Sequence, residues 1–288
     1  LEYADSKLRN NDLIVLAAIQ QAGRAFWCAA PKFKRNTEFI LTAVRQNGEA
    51  LRHAAPRLRR KQEFILLAVQ QNGLALQYAP KHLKADKKIV LAAVQQNGWA
   101  LEYAPEELKA DRKIVLAAVK QNGDALMFAS DELYADKEFM LAAVQEDGDA
   151  LFYASEELQK DREFVLEALQ QNGDNLQWAS PELKADRIFM LAAAQLNEFA
   201  LEHASEELKA DMFVVLKAVK KKGMALEFAS NKLKNHPLIV LDAVQQNGLA
   251  LRWTSELFKN DSEIVFKAVQ QNGLALAYAS KELMDNQL

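Results

Sequence analysis

The chain is poor in the residues that punctuate or cross-link most domains. Its 288 residues include one cysteine, four histidines, six prolines and ten glycines. A lone thiol, Cys28, excludes an internal disulfide framework and any multi-cysteine metal site within one chain. It suits a reducing compartment such as the cytoplasm. No apolar run approaches the ~18 residues that a membrane-spanning helix needs. The segment LIVLAAI at 13–19 runs straight into glutamines. There is no secretory leader pattern and no Gly/Ser-rich linker. Half the residues are apolar and 26% are charged, the composition expected of a folded soluble protein.

The few glycines that are present are informative. All ten fall on one register: Gly23, Gly48, Gly73, Gly98, Gly123, Gly148, Gly173, Gly223, Gly248 and Gly273, with Glu198 in the single missing slot. An alanine recurs on the same 25-residue period from Ala18 to Ala268, with no insertion or deletion. The chain therefore reads as one array of about eleven and a half repeats, at 1–25, 26–50 and so on to 251–275, with a partial unit at 276–288.

Each repeat has helical grammar. Asp86, Asp111, Asp136, Asp161, Asp186, Asp211 and Asp261 form a column, one per repeat, where a carboxylate would cap the N-terminus of the next helix. RKIVLAAVKQ, which follows Asp111, is rich in helix formers. Asn122-Gly123 should end it, with Gly123 in the left-handed conformation of a helix C-terminus. DALMFA then forms a short second helix, and Ser130 caps a last turn. Pro31, Pro56 and Pro181 stand where a first helical residue falls. The flanks of Asn-Gly lack period-2 alternation, which excludes a β-hairpin. Ile114, Val115, Leu116, Ala118 and Val119 cover roughly 200° of the first helix at ~100° per residue, so neighbours should bury it on two sides. Lys113, Ala117, Lys120, Gln121 and Asp124 are left to face water. One repeat has too few apolar side chains to offset the ordering of its backbone and folds only when stacked. The expected fold is an all-α solenoid.

The words L-x-Y-A-S-x-x-L-x-x-D and V-L-x-A-V-x-Q-N-G, as in LFYASEELQKDREFVLEALQQNG, resemble a tandem helical repeat family known only as a domain of unknown function. The resemblance covers the whole chain. It implies no activity and supplies no catalytic residues. It points to proteins of intracellular bacteria, effector-like ones among them, and of protists and algae, which would allow delivery into a host cell.

Chemistry-bearing residues do not converge. An aromatic column runs through Tyr3, Tyr78, Tyr103, Phe128, Tyr153, Trp178, Phe228, Trp253 and Tyr278, with Cys28, His53 and His203 in three of its slots. A base-stacking platform is conceivable, but a core ladder explains the column better. His53 and His203 lie six repeats apart, while His82 and His236 fill surface or cap slots, so no metal site is expected. No repeat slot sets a histidine obviously against Cys28. Paired glutamines such as Gln95-Gln96, Gln170-Gln171, Gln245-Gln246 and Gln270-Gln271 suggest a solvated amide ladder. Phosphate loops and nucleophile motifs are absent. No enzyme activity and no cofactor are expected.

Function is therefore sought on the surface. Ile188, Leu196, Phe199, Phe213, Met224, Leu238 and Leu249 are apolar in slots where other repeats commonly carry charge or amide. They should merge into one patch rimmed by Lys217, Lys220, Lys221 and Lys222, for a protein or peptide partner. Leu67, Leu74 and Trp99 form a second candidate patch. Charge is uneven: residues 24–61 hold ten Lys/Arg against two Glu, whereas 101–212 hold twenty-five Asp/Glu against ten Lys/Arg. Nucleic acid is the alternative partner, contacted by Arg24, Arg45, Arg52, Arg57, Arg59, Arg60 and Lys61. Both termini fall in mid-repeat without a polar capping unit, so a piece of a longer protein is expected.

Overall fold

The computed structural model describes residues 1–197 and 199–285. The chain is 79% helical, and no strand occurs among the described residues. Backbone contacts divide it into two compact units, Leu1–Tyr153 and Ala154–Leu288. Glu198 lies outside the described residues.

Both units are built from the same three pieces. A ten-residue α-helix comes first, as in Arg112–Gln121; a six-residue 3-10 helix follows, as in Gly123–Phe128; a single short α-turn closes the repeat, as in Asp131–Tyr134. Within each unit, long helices pack on the long helices of adjacent repeats and 3-10 helices on 3-10 helices. The core lies between these two columns. Repeat 111–135 buries Ile114, Val115, Ala118 and Val119 from the long helix, Ala125 and Leu126 from the 3-10 helix and Leu133 from the short turn. The exposed stripe falls where periodicity placed it: Lys113, Lys120, Gln121 and Asp124 face water, and Ala117 is half-buried.

The aspartate column does cap the long helices. Asp111 Oδ1 accepts from the amides of Lys113 and Ile114 at 3.1 and 3.3 Å. Asp86, Asp136, Asp161, Asp186, Asp211 and Asp261 do the same, and Asn11 and Asn36 replace them in the first two repeats. The serine caps are more selective. Ser155, Ser180, Ser205 and Ser280 accept from the amide three residues on, but Ser130 Oγ is buried without a hydrogen-bond partner. Backbone groups join successive repeats at this point, for example Ser180 N–H to the Gln159 carbonyl at 3.0 Å and Ser205 N–H to that of Lys184 at 3.0 Å. Pro56 and Pro181 do stand at helix starts. Pro31 instead precedes the 3-10 turn Phe33–Arg35.

The Gln-Asn-Gly junction departs from expectation. No described glycine has positive φ. The chain turns at the asparagine, which is extended at φ −158°, ψ 116° for Asn122. Its side chain then caps the 3-10 helix by accepting from Asp124 N–H at 3.0 Å. Glycine is required for a different reason, the close approach of the next repeat. A Cβ on Gly98 would stand 2.5 Å from the Ala118 carbonyl oxygen, and one on Gly23 would stand 2.7 Å from that of Ala43. The glycine N–H points into the same neighbour. Gly98 donates to Gln121 Oε1 at 2.9 Å and Gly248 to Gln271 Oε1 at 2.6 Å. Gln271 in turn donates to the Gln246 carbonyl at 3.3 Å. Gln271, like Gln96 and Gln246, thus closes the break in the preceding repeat, rather than joining a solvated ladder. At Gly273 a Cβ would meet no described residue within 4 Å.

These contacts predict opposite outcomes for one substitution at two equivalent slots. Gly248→Ala should destabilise the protein by about 1–3 kcal/mol through overpacking. Gly273→Ala should stabilise it by about 0.5–1 kcal/mol, because alanine is the better helical residue in open space. Urea denaturation of both variants checks this, and equal midpoints would remove the close-approach account.

Candidate binding surface

The apolar residues that break the repeat habit lie on one stripe but do not merge. Ile188, Phe213 and Leu238 are each the second residue of a long helix, in Arg187–Leu196, Met212–Lys221 and Pro237–Gln246. They are 72%, 67% and 57% exposed. Leu196 ends its helix, Phe199 immediately precedes the short helix Ala200–His203, and Met224 and Leu249 lie on 3-10 helices after the break. Leu196 and Phe199 are exposed, whereas Met224 and Leu249 are half-buried. Eight residues separate Ile188 from Leu196, about 12 Å at ~1.5 Å per residue. The expected single patch is therefore two columns at opposite ends of the long helices.

The lysines do not form a rim around a single patch. Lys217 and Lys220 sit on the long helix between the columns, and Lys220 pairs with Asp242 at 3.7 Å. Lys221 donates to the Gln195 carbonyl. Lys222 places its ammonium 3.8 Å from the centre of the Phe199 ring. At the other column, the Arg187 guanidinium lies 5.2 Å from the Phe213 ring while pairing with Asp211 at 2.8 Å.

That pair belongs to a ladder. The first residue of a long helix reaches the capping aspartate of the following repeat in Lys87–Asp111 at 2.7 Å, Arg112–Asp136 and Arg162–Asp186 at 2.5 Å. One carboxylate thus caps its own helix and binds its neighbour. The Lys87 ammonium, aided by the capping amides, holds the Asp111 carboxyl below its ordinary value. At Asp186 the Phe189 amide is the main cause, with Arg162 adding to it. Asp211 is opposed by burial, yet its capping amides and Arg187 still bring it down.

The second candidate patch divides as well. Leu67 is exposed on the long helix Gln62–Gln71, whereas Leu74 and Trp99 are second residues of 3-10 helices. Trp99 packs edge-on against Phe128, with ring centroids 5.6 Å apart. The basic residues fall on four elements. Arg24 and Arg52 lie on 3-10 helices; Arg45 closes a long helix and donates to Gln71 Oε1 at 2.7 Å; Arg57, Arg59, Arg60 and Lys61 lie on or just after the short turn Pro56–Arg59. The Arg59 Nε is buried without a partner.

The aromatic column is not a buried ladder. From Cys28 to Tyr278 every member is partly exposed, and Tyr3 is fully so. From Cys28 on, each ends a short or 3-10 helix, and the Phe128 ring meets, across the repeat boundary, the residue 29 positions before it. Trp99 touches Phe128; burial raises the Tyr78 phenol, and the Glu49 carboxylate adds to the shift. Burial raises the Tyr153 phenol, and Asp124 and Asp147 add to the shift. Tyr134, whose hydroxyl donates to the Leu126 carbonyl at 2.8 Å, is pushed by burial to about 12. Exposed Trp27, Met127 and Phe152 flank the column one slot earlier. Sequence reading missed this strip because its 29-residue pairing is set by the stacking offset. Cys28 and His53 are equivalent positions of successive repeats, and both line one open hollow of about 630 Å³, together with Arg24 and Arg52. Among the described residues, no group of three or more His, Cys, Asp or Glu comes together as a metal site.

Tandem three-piece repeats stacked in two columns within each unit define an α-solenoid repeat protein. The chain belongs to the family described as domain of unknown function DUF4116, whose model matches at 13–59, 36–84, 61–109, 86–134, 136–184, 186–234 and 237–284. Each match spans nearly two of the 25-residue repeats. No curated protein and no solved structure matches the chain. No helix among the described residues is long and apolar enough to cross a membrane.

Stability should fall with acid in two stages. His203 is held below its ordinary value of 6.5, chiefly by burial. A depressed histidine contributes stability that is present above ~6.5 and lost as pH falls, because the unfolded chain binds the proton more readily. The lowered aspartates add a second loss below about pH 4. Burial holds His53 low as well, so replacing both His53 and His203 by Tyr, the residue at Tyr78 and Tyr103, should flatten the melting temperature between pH 7 and pH 5 while leaving the loss below pH 4 in place.

Proposed function

We propose that the protein is a non-enzymatic scaffold that binds a protein or peptide partner through the exposed stripe of its repeats. The observation that carries this reading is the column Ile188, Phe213 and Leu238. In that slot, Glu38, Glu63, Lys88, Lys113, Glu138, Glu163 and Glu263 occupy seven other repeats. Three consecutive large apolar side chains, each more than half exposed, contribute nothing to the core and favour an apolar contact. Residues at the far end of the same helices, Leu196, Phe199, Met224 and Leu249, extend the contact, and Lys217 between the columns suits a carboxylate on the partner. A reducing compartment fits the single free thiol, Cys28. Delivery into a host cell rests on the family resemblance alone. The nucleic-acid reading has less support, because its seven basic residues are spread over four different elements.

The slot itself supplies a clean test. Glutamate is native there in five repeats and favours a helix N-terminus. Ile188→Glu, Phe213→Glu and Leu238→Glu together should therefore leave the circular dichroism spectrum and melting temperature unchanged. The same variant should lose, at least tenfold, the affinity for a partner recovered by cross-linking with the native chain. Undiminished binding by the folded triple variant would place the contact elsewhere. A low-salt shift of mixed oligonucleotides, abolished by reversing Arg57, Arg59 and Arg60, would favour nucleic acid instead.

A further inference from the structure

The strip of 3-10 helices in the first unit carries a second binding surface, with chemistry unlike that of the apolar columns. Consecutive 3-10 helices read GWALEY, GDALMF and GDALFY at 98–103, 123–128 and 148–153. Alanine and leucine face the core. What remains outside is aromatic, sulfur-bearing or acidic. Trp99 is 37% exposed, and Met127 and Phe152 are each 51% exposed. Trp99 and Phe128 are in edge contact, and Phe152 and Tyr153 are likewise at 4.9 Å. Glu102, Asp124 and Asp149 are exposed among these rings, and none of the three segments contains a lysine or arginine. Tyr134 stands where the two preceding repeats have Lys84 and Lys109, so the adjoining turn loses its cation as well.

Elsewhere the chain shows what such rings attract. Arg252 lies 4.5 Å from the Trp253 ring and 5.7 Å from Tyr278, two successive members of the same column. Lys84 lies 5.7 Å from the Tyr103 ring at the edge of the strip. An aromatic face bordered by carboxylates attracts an ammonium or guanidinium through both ring quadrupole and charge. We infer that the strip at 98–153 docks an extended, lysine- or arginine-bearing segment of a partner protein. The repeat sets its spacing. Stacked helices lie ~8–10 Å apart, and an extended chain in the polyproline II conformation advances ~3.1 Å per residue with three residues per turn, so every third side chain faces the same way. A cation at every third residue would therefore meet one repeat after another.

The test uses the full chain and three fluorescein-labelled twelve-residue peptides. One has lysine at every third position with alanine and serine between. The second has the same composition with its lysines in one block, and the third has glutamate for lysine. Fluorescence anisotropy should show binding to the first, at least fivefold weaker binding to the second and none to the third. Trp99 emission should change on binding, and the change should be lost in Trp99→Phe. The near-isosteric variant Glu102→Gln/Asp124→Asn/Asp149→Asn, with circular dichroism confirming its fold, should weaken the first peptide at least tenfold. The Ile188→Glu, Phe213→Glu, Leu238→Glu variant should bind it normally, which separates this surface from the apolar columns. Equal affinity for spaced and blocked lysines, no binding of either, or full affinity in the folded triple-amide variant would each overturn the inference.

Discussion

The fold within each unit depends on how closely one repeat can approach the next at the end of its long helix. That approach fixes three consecutive residue types. Glutamine reaches back to close the hydrogen bonds broken in the preceding repeat. Asparagine is extended, breaks the helix and caps the 3-10 segment. Glycine leaves the neighbouring alanine carbonyl the room that a Cβ would take. A helix end is normally a place of orphaned amides and carbonyls, and in these repeats the next repeat supplies many of their partners. Stacking is therefore the condition under which each turn is satisfied at all.

What could be read from the sequence is what is local. The aspartate caps were legible because a cap is chemistry between a residue and amides two or three positions on. The buried arc of the long helix was legible because ~100° per residue is a property of the helix itself. The glycine slot was legible as a position but not as a cause. A left-handed turn is a local explanation, and the actual constraint comes from an alanine carbonyl twenty residues away. The ion pairs between the start of one long helix and the cap of the next were hidden for the same reason, since a 24-residue spacing has no meaning until repeats are stacked.

The surface was legible by identity more than by grouping. Repetition exposed Ile188, Phe213 and Leu238 as departures from their own slot, and all three are well exposed. Their merger with Leu196 and Phe199 failed because it used angle around the helix and ignored distance along it. The aromatic column was assigned to the core from its place between a recurring leucine and alanine. A 3-10 helix has three residues per turn, so the residue two after a buried leucine sits at the margin of the buried face. Met127 and Phe152, one residue earlier, are further out still.

The double use of the capping carboxylate bears on how the chain acquires its structure. One oxygen nucleates its own long helix while the other holds the preceding repeat, as at Asp111 with Lys87. Helix initiation in one repeat is thereby coupled to docking of the one before it. The contacts that define the fold, at separations of about 20 to 29 residues, do not lengthen as repeats are added. Loop closure then costs the same at each step, and the average sequence separation of contacts stays low relative to chain length. A chain wired in this way folds by propagation from any formed pair of repeats, and adding repeats extends the array without making any one step of its assembly slower.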